Sequence, residues 1–144
     1  MTALLDVNVL VALAWPNHVH HAAARSWFGQ HREDGWATCS LTEAGFVRVS
    51  CNPAAVRHTI TPLDAIALLA RLTRLGSHEF WPLDWSIAEL PGTIANRLQG
   101  YRQVTDAMLL AAAIRRGGRL ATLDSGIEGL VSTDERSFLH VISV

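Results

Sequence analysis

The chain has 144 residues, 49% of them hydrophobic and 17% charged, which suits one domain with a buried core and excludes a disordered or fibrous chain. Twelve basic residues stand against 13 acidic ones, for a net charge of −1, and this balance argues against a strongly basic nucleic-acid binder. Apart from His, every basic residue is Arg. The absence of Lys excludes P-loop nucleotide hydrolysis, protein-kinase and Schiff-base chemistry, and the Lys-dependent phospho-receiver and dehalogenase-type sites.

Met1 to Trp15 is strongly apolar, but it has no early Arg and is interrupted by Asp6 and Asn8, so neither a signal peptide nor a membrane span is expected. A soluble cytoplasmic protein is the expectation, and two cysteines, Cys39 and Cys51, suit a reducing compartment. Ala3 to Leu5 reads as a short buried strand ending at Asp6, and Val9 to Trp15 as a helix stopped by Pro16. His18 to His31 reads as a second helix, followed by the turn at Gly35 and a strand over Trp36 to Cys39. A helix runs from Ser40 to about Cys51, ended by Asn52-Pro53. The next is opened by Thr61 as N-cap and Pro62 at its first position, with Asp64 near the positive end of the helix dipole, and it closes at Gly76. Glu79 to Pro82 reads as the third strand and Ser86 to Leu98 as a helical segment. Thr105-Asp106 opens an Ala-rich helix closed by Gly117-Gly118. Arg119 to Leu123 is the fourth strand and Phe138 to Val144 the last.

This alternation predicts an α/β protein, residues 1–144 forming one three-layer α/β/α sandwich around a mainly parallel sheet. In such sheets ligands bind outside the carboxyl ends of the strands. Asp6 and Asp124 directly follow strands. Glu43 and Asp106 lie in the first turns of helices at that same edge.

Each acid has a purely structural reading. Glu43 completes a Ser40-x-x-Glu43 capping box, Asp106 suits a helix N-terminus, and Asp124 before Ser125-Gly126 suits a turn. Asp6 is harder to dismiss, because a charge within an apolar stretch is costly unless paired or metal-bound. Two carboxylates ~4 Å apart repel by about 4 kcal/mol at an effective dielectric near 20. A converging set therefore holds a proton or a cation. All-oxygen ligands select Mg²⁺ or Mn²⁺, and Mg²⁺ is commonly completed by substrate phosphates. A phosphodiester, attacked by an activated water, is the natural substrate.

Asp6-Val7-Asn8, Thr42-Glu43 with Arg48, Thr105-Asp106 and Ala121-Thr122-Leu123-Asp124 together resemble the PIN-domain nucleases, and more closely the VapC-type toxins of type II toxin–antitoxin modules. The resemblance spans nearly the whole chain. It implies a Mg²⁺- or Mn²⁺-dependent endoribonuclease with Asp6, Glu43, Asp106 and Asp124 as its acidic quartet. Asp6 and Asp106 would be the most direct metal ligands, and Glu43 and Asp124 would complete the shell or deprotonate the attacking water. Asn8 and Thr105 would hydrogen-bond these carboxylates, although Thr105 also reads as a helix N-cap. The resemblance further implies a homodimer, an RNA substrate and a VapB-like antitoxin. Gly126 departs from the pattern, since many members carry an acid there, and a second tightly held metal is then not implied before substrate phosphates contribute. The alternatives on the same residues are a DNA nuclease or phosphatase, and an inactive PIN-like RNA-binding module.

His18, His20 and His21 lack the partners of a zinc site and read as a solvated helix start. Arg115, Arg116 and Arg119 lie at the far end of the helix that Asp106 begins and suit its dipole. Arg102, four residues before Asp106, is the arginine best placed to meet an RNA phosphate. Leu63, Ile66, Leu68, Leu69, Leu72 and Leu75 form a stripe wider than one core face needs, suggesting a dimer or partner surface in addition to core. Setting the four site acids aside leaves 9 acids against 12 arginines, a mildly basic frame around an acidic pocket.

Overall fold

The computed structural model describes residues 1–57 and 60–144. Its strands are β1 (Ala3–Leu5), β2 (Trp36–Thr38), β3 (His78–Phe80), β4 (Arg119–Thr122) and β5 (Leu139–Val141). They form one sheet in the order β3-β2-β1-β4-β5, and every pairing is parallel. The helices are α1 (Val7–Ala14), α2 (His21–His31), α3 (Ser40–Ser50), α4 (Pro62–Leu72), α5 (Gly92–Ala95) and α6 (Val104–Arg115).

Strand alternation decides the layering. Ala3, Leu5, Trp36 and Ala121 point into a core built with Val9 and Leu10 of α1, Phe28 of α2, Phe46 of α3 and Leu69 of α4. Leu4, Ala37 and Leu120 point the other way, onto Ile94 of α5 and Leu109 to Ala113 of α6. The central strand β1 is covered on both faces, which is why it reads as a continuous apolar run, whereas the edge strand β3 is largely exposed. The result is the expected three-layer sandwich. Among the described residues no helix is long and apolar enough to cross a membrane.

Several boundaries differ from the sequence reading, each for a local reason. The first helix begins at Val7 because the Asp6 side chain caps it, accepting the Val7 N–H at 2.7 Å. The second begins at His21, not His18, because the His18 ring nitrogen accepts the His20 N–H at 3.0 Å and folds 18–20 into a turn. The helix expected over Ser86 to Leu98 is broken into a 3-10 turn at Ile87–Glu89 and the short α5. Leu90 is extended before Pro91, as a residue preceding Pro should be. The third strand is His78–Phe80, and the last is trimmed to Leu139–Val141 by a 3-10 turn at Thr133–Phe138. Thr61 caps α4 as expected, accepting the Asp64 N–H at 3.1 Å, but that helix ends at Leu72, before Gly76. Its wide apolar stripe divides: Ala65 and Leu69 are buried, while Leu63 and Ile66 are 75% and 52% exposed.

α1 and α3 cross closely because residue 45 is Gly. A Cβ there would stand 2.5 Å from Val7 Cγ2. Gly45→Ala is expected to force the two helices apart and destabilise the protein by about 1–3 kcal/mol, a loss that thermal unfolding would register. An unchanged Tm would show that Val7 can move aside without cost.

Candidate active site

Parallel pairing sends β1 and β4 to the same edge, so Asp6 and Asp124 emerge side by side. Asp6 is only 7% exposed, and both of its carboxylate oxygens accept hydrogen bonds. One oxygen accepts the Val7 N–H at 2.7 Å; the other accepts the Thr122 hydroxyl at 2.7 Å and the Asn8 amide at 3.3 Å. Asn8 bridges the strands. Its amide nitrogen also reaches Thr122 Oγ1 at 3.2 Å, and its oxygen accepts the Leu123 N–H at 3.1 Å. Thr122 Oγ1 accepts the Asp124 N–H at 3.1 Å. Asp124 in turn accepts the Gly126 N–H at 2.8 Å, and a Cβ at 126 would lie 3.0 Å from its Oδ1. A side chain where Gly126 stands would therefore crowd Asp124.

Asp106 enters from the first turn of α6. Asp6, Asn8, Asp106 and Asp124 line one open pocket, together with His18 on its rim. Burial, reinforced by the charges of Asp6 and Asp124, pushes the Asp106 carboxyl up to about 6. Asp6 is also raised, chiefly by burial, against the opposing effect of its hydrogen bonds from Thr122 and Val7. Burial holds the His18 imidazole below its usual range, with His20 and His21 adding to the effect.

The remaining predicted residues are placed differently. Glu43 does not line this pocket. It is also free of the expected capping box, which forms one residue earlier: Thr42 Oγ1 accepts the Cys39 N–H at 3.0 Å. Glu43 Oε1 instead faces the Thr38 hydroxyl at 3.4 Å, and burial raises its carboxyl. Thr105 is exposed in the first turn of α6 and, among the described residues, hydrogen-bonds none of the carboxylates. Nor is it the N-cap, since Gln103 occupies that position. Arg102 is exposed in the 3-10 turn leading into α6, its Nε donating to Tyr101 Oη at 3.2 Å. Arg115 lies against the Trp85 ring and Arg116 over Trp81 at the other end of α6.

Sequence reasoning quoted Thr122 only as part of a motif and gave it no role of its own. It is the hub of the network, and the available signal was its position two residues before Asp124 on a buried strand. Thr122→Val keeps the shape but leaves Asp6 and the Asp124 N–H without their shared hydroxyl. The expected cost is about 1–3 kcal/mol of stability, read by thermal unfolding, and a ~10–100-fold loss of any metal-dependent activity, read by initial rates.

The donor set fits a hard divalent cation. Its carboxylates are oxygen donors gathered in one pocket, and burial raises the Asp6 and Asp106 carboxyls. Among the described residues no three His, Cys, Asp or Glu side chains converge closely enough to enclose an ion. The fit is therefore to an ion held by one or two carboxylates and otherwise by water or substrate oxygens, as Mg²⁺ commonly is.

Comparison with known proteins points the same way. The family model of the PIN domain matches residues 3–131. The chain is 52% identical over 129 residues to ribonuclease VapC39 of Mycobacterium tuberculosis, covering 88% of this chain and 91% of that one. It is 46% identical over 142 residues to ribonuclease VapC38 of the same organism, covering 99% of each. A crystal structure of M. tuberculosis VapC20, a toxin that cleaves the sarcin–ricin loop, matches with a TM-score of 0.63 at 15% identity, covering 91% of this chain and 97% of that one, a likeness of fold.

Proposed function

Since the chain belongs to the PIN-domain family as a VapC-type ribonuclease, we propose that it is the toxin of a type II toxin–antitoxin module, an endoribonuclease using Mg²⁺ or Mn²⁺ at the aspartate pocket. One observation carries this reading: Asp6, Asp106 and Asp124 share a pocket in which burial and mutual repulsion raise Asp106 to about 6. Such a pocket is stabilised by a cation. A bound divalent ion would offset phosphate charge and acidify a water for attack on phosphorus.

The protein side chains divide the remaining work. Asp6 and Asp106 would hold the ion. Asn8 and Thr122 fix the Asp6 carboxylate in the pocket wall. Asp124, anchored by Gly126, orients the attacking water. Glu43, outside the pocket lining but at the same edge of the sheet, would take up the water's proton at its carboxylate. Arg102, exposed ahead of Asp106, meets the RNA backbone. Hydrolysis leaves 5′-phosphate and 3′-hydroxyl ends. Among the described residues Thr105 has no hydrogen bond that supports a role in orienting a carboxylate.

The reading extends to partners. A VapB-like antitoxin would occupy the acidic pocket with a basic side chain, and the protein would act in the cytoplasm as a homodimer, residues 1–144 forming one catalytic unit. The exposed Leu63 and Ile66 of α4 support an apolar face that a partner covers.

Purified protein incubated with cellular RNA and Mg²⁺ or Mn²⁺ tests the reading, with DNA of matched sequence in parallel. RNA fragments with the stated ends support it. Cleavage of DNA alone, or RNA binding without cleavage under either metal, overturns it. Growth arrest on induced expression, relieved by an adjacent small gene, tests the toxin assignment.

A further inference from the structure

Thr38 is the last residue of β2 and is fully buried, yet its hydroxyl faces two polar groups. His78 Nε2 lies 2.8 Å away and Glu43 Oε1 lies 3.4 Å away. The placement follows from the sheet. Trp36 and His78 are register partners on β2 and β3, so Trp36, Thr38 and His78 share one face, and the Trp36 and His78 rings lie 4.6 Å apart. Glu79 points to the opposite face, where its carboxylate accepts the Trp81 indole N–H at 2.9 Å. The carboxylate that His78 reaches through Thr38 is therefore Glu43.

A hydroxyl has one proton to give. If Thr38 gave it to His78, the Glu43 carboxylate would face a bare oxygen lone pair. An ionised carboxylate is the stronger acceptor, so the proton belongs on the Glu43 side. Thr38 must then accept from His78, which fixes the imidazole in its Nε2–H form. Burial also keeps this imidazole below the usual His range, against the smaller opposing effect of Glu79, which suits a neutral ring.

We infer that His78 is a positioning residue for Glu43, acting through a directed hydrogen-bond chain from His78 Nε2–H to the Thr38 hydroxyl to the Glu43 carboxylate. The chain joins the β3 edge of the sheet to the acid expected to accept the water's proton. It orients Glu43 from behind, as Thr122 orients Asp6. The inference rests on the ribonuclease reading of Glu43 given above.

Cleavage kinetics of a coupled set of variants test it. Glu43→Gln is expected to lower kcat on the order of 100-fold. His78→Leu and Thr38→Val should each lower kcat ~10-fold with KM little changed, the scale of losing a group that orients a catalytic ligand. Thr38→Ser and His78→Gln, which keep the hydroxyl and a side-chain N–H, should restore most of the loss. In a Glu43→Gln background, His78→Leu should cost nothing further.

Imidazole nitrogen NMR supplies a second readout that does not depend on activity or on the folding of the weaker variants. The wild type should show His78 as the Nε2–H tautomer, and Glu43→Gln should shift its ring signals. An Nδ1–H tautomer, or ring signals indifferent to Glu43→Gln, overturns the chain. Reduced cleavage by Glu43→Gln with wild-type rates for Thr38→Val and His78→Leu overturns the positioning role alone. A wild-type rate for Glu43→Gln overturns the role of Glu43 itself and the positioning role with it.

Discussion

Asp106→Asn should all but abolish RNA cleavage while making the metal-free protein more stable at neutral pH. The two effects share one cause. Asp106 is held near 6, against an ordinary 3.8, by burial and by the charges of Asp6 and Asp124. Because the folded state binds that proton more tightly than the unfolded chain, ionising Asp106 costs stability. The cost is fully present above about pH 6 and is relieved as the pH falls toward 4. An uncharged Asn removes it at every pH. Allowing for solvent screening of a half-buried group, the gain is on the order of 1–2 kcal/mol at pH 7.5. On the proposed reading the same substitution removes a group that would hold positive charge against the scissile phosphate, a loss on the order of 10²–10³-fold in rate, or about 2.7–4 kcal/mol of activation free energy. Initial rates and thermal unfolding at pH 7.5 and 5.0 check both halves. A variant that loses activity and stability together would mean that Asp106 supports the fold and does not strain it.

Removing divalent cations with EDTA should reduce cleavage to background, and restoring Mg²⁺ or Mn²⁺ should recover it. Metal should also stabilise the folded chain by mass action, about 2.7 kcal/mol at 100 times its dissociation constant, which for a protein of this size is roughly 5–11 °C in Tm. Protons compete for Asp106, so the metal-induced rise should shrink as pH falls from 7.5 through 6 to 5. Over the same interval the metal-free protein gains stability from this group, and the two curves converge. Asp106→Asn should flatten that convergence. A Tm insensitive to Mg²⁺ and Mn²⁺ at millimolar concentration and pH 7.5 would count against a metal site in this pocket.

The sheet and two of the acids were legible because the information is local. Apolar runs ending in Asp6 and Asp124, with no β-hairpin signal between successive strands, are enough to infer parallel strands whose next residues meet at one edge. Asp106 was legible for a similar reason, as the only acid in the first turn of the most apolar helix. Glu43 was harder, because two capping frames fit the letters. Ser40-x-x-Glu43 matches the usual pattern, but Cys39 with Thr42 takes the orphan N–H, and the choice depends on where β2 stops. The broken segment after Ser86 shows the opposite failure: Pro91 and Gly92 carried the signal, and a helical reading of the flanking apolar residues outweighed it. Thr122 and Thr38 escaped notice because a buried strand Thr is ordinary until its hydroxyl finds partners. Those partners lie 116 residues away for Thr122 and 40 for Thr38 through His78, and such pairings follow from sheet register, which no single segment contains.

The central position of β1 has a consequence in time. The first acid of the site, Asp6, is made well before β4, the strand that completes its carboxylate network. From Asp6 to Asp124 a ribosome adding roughly 5–20 residues per second needs about 6–24 s. Until β4 is made Asp6 lacks the Thr122 hydroxyl and Asp124 does not yet exist, even once β2 has been made and can pair with β1. A nascent chain without β4 has an incomplete carboxylate network. The order of the strands in the sheet thus acts as a delay between the first acid and the finished network.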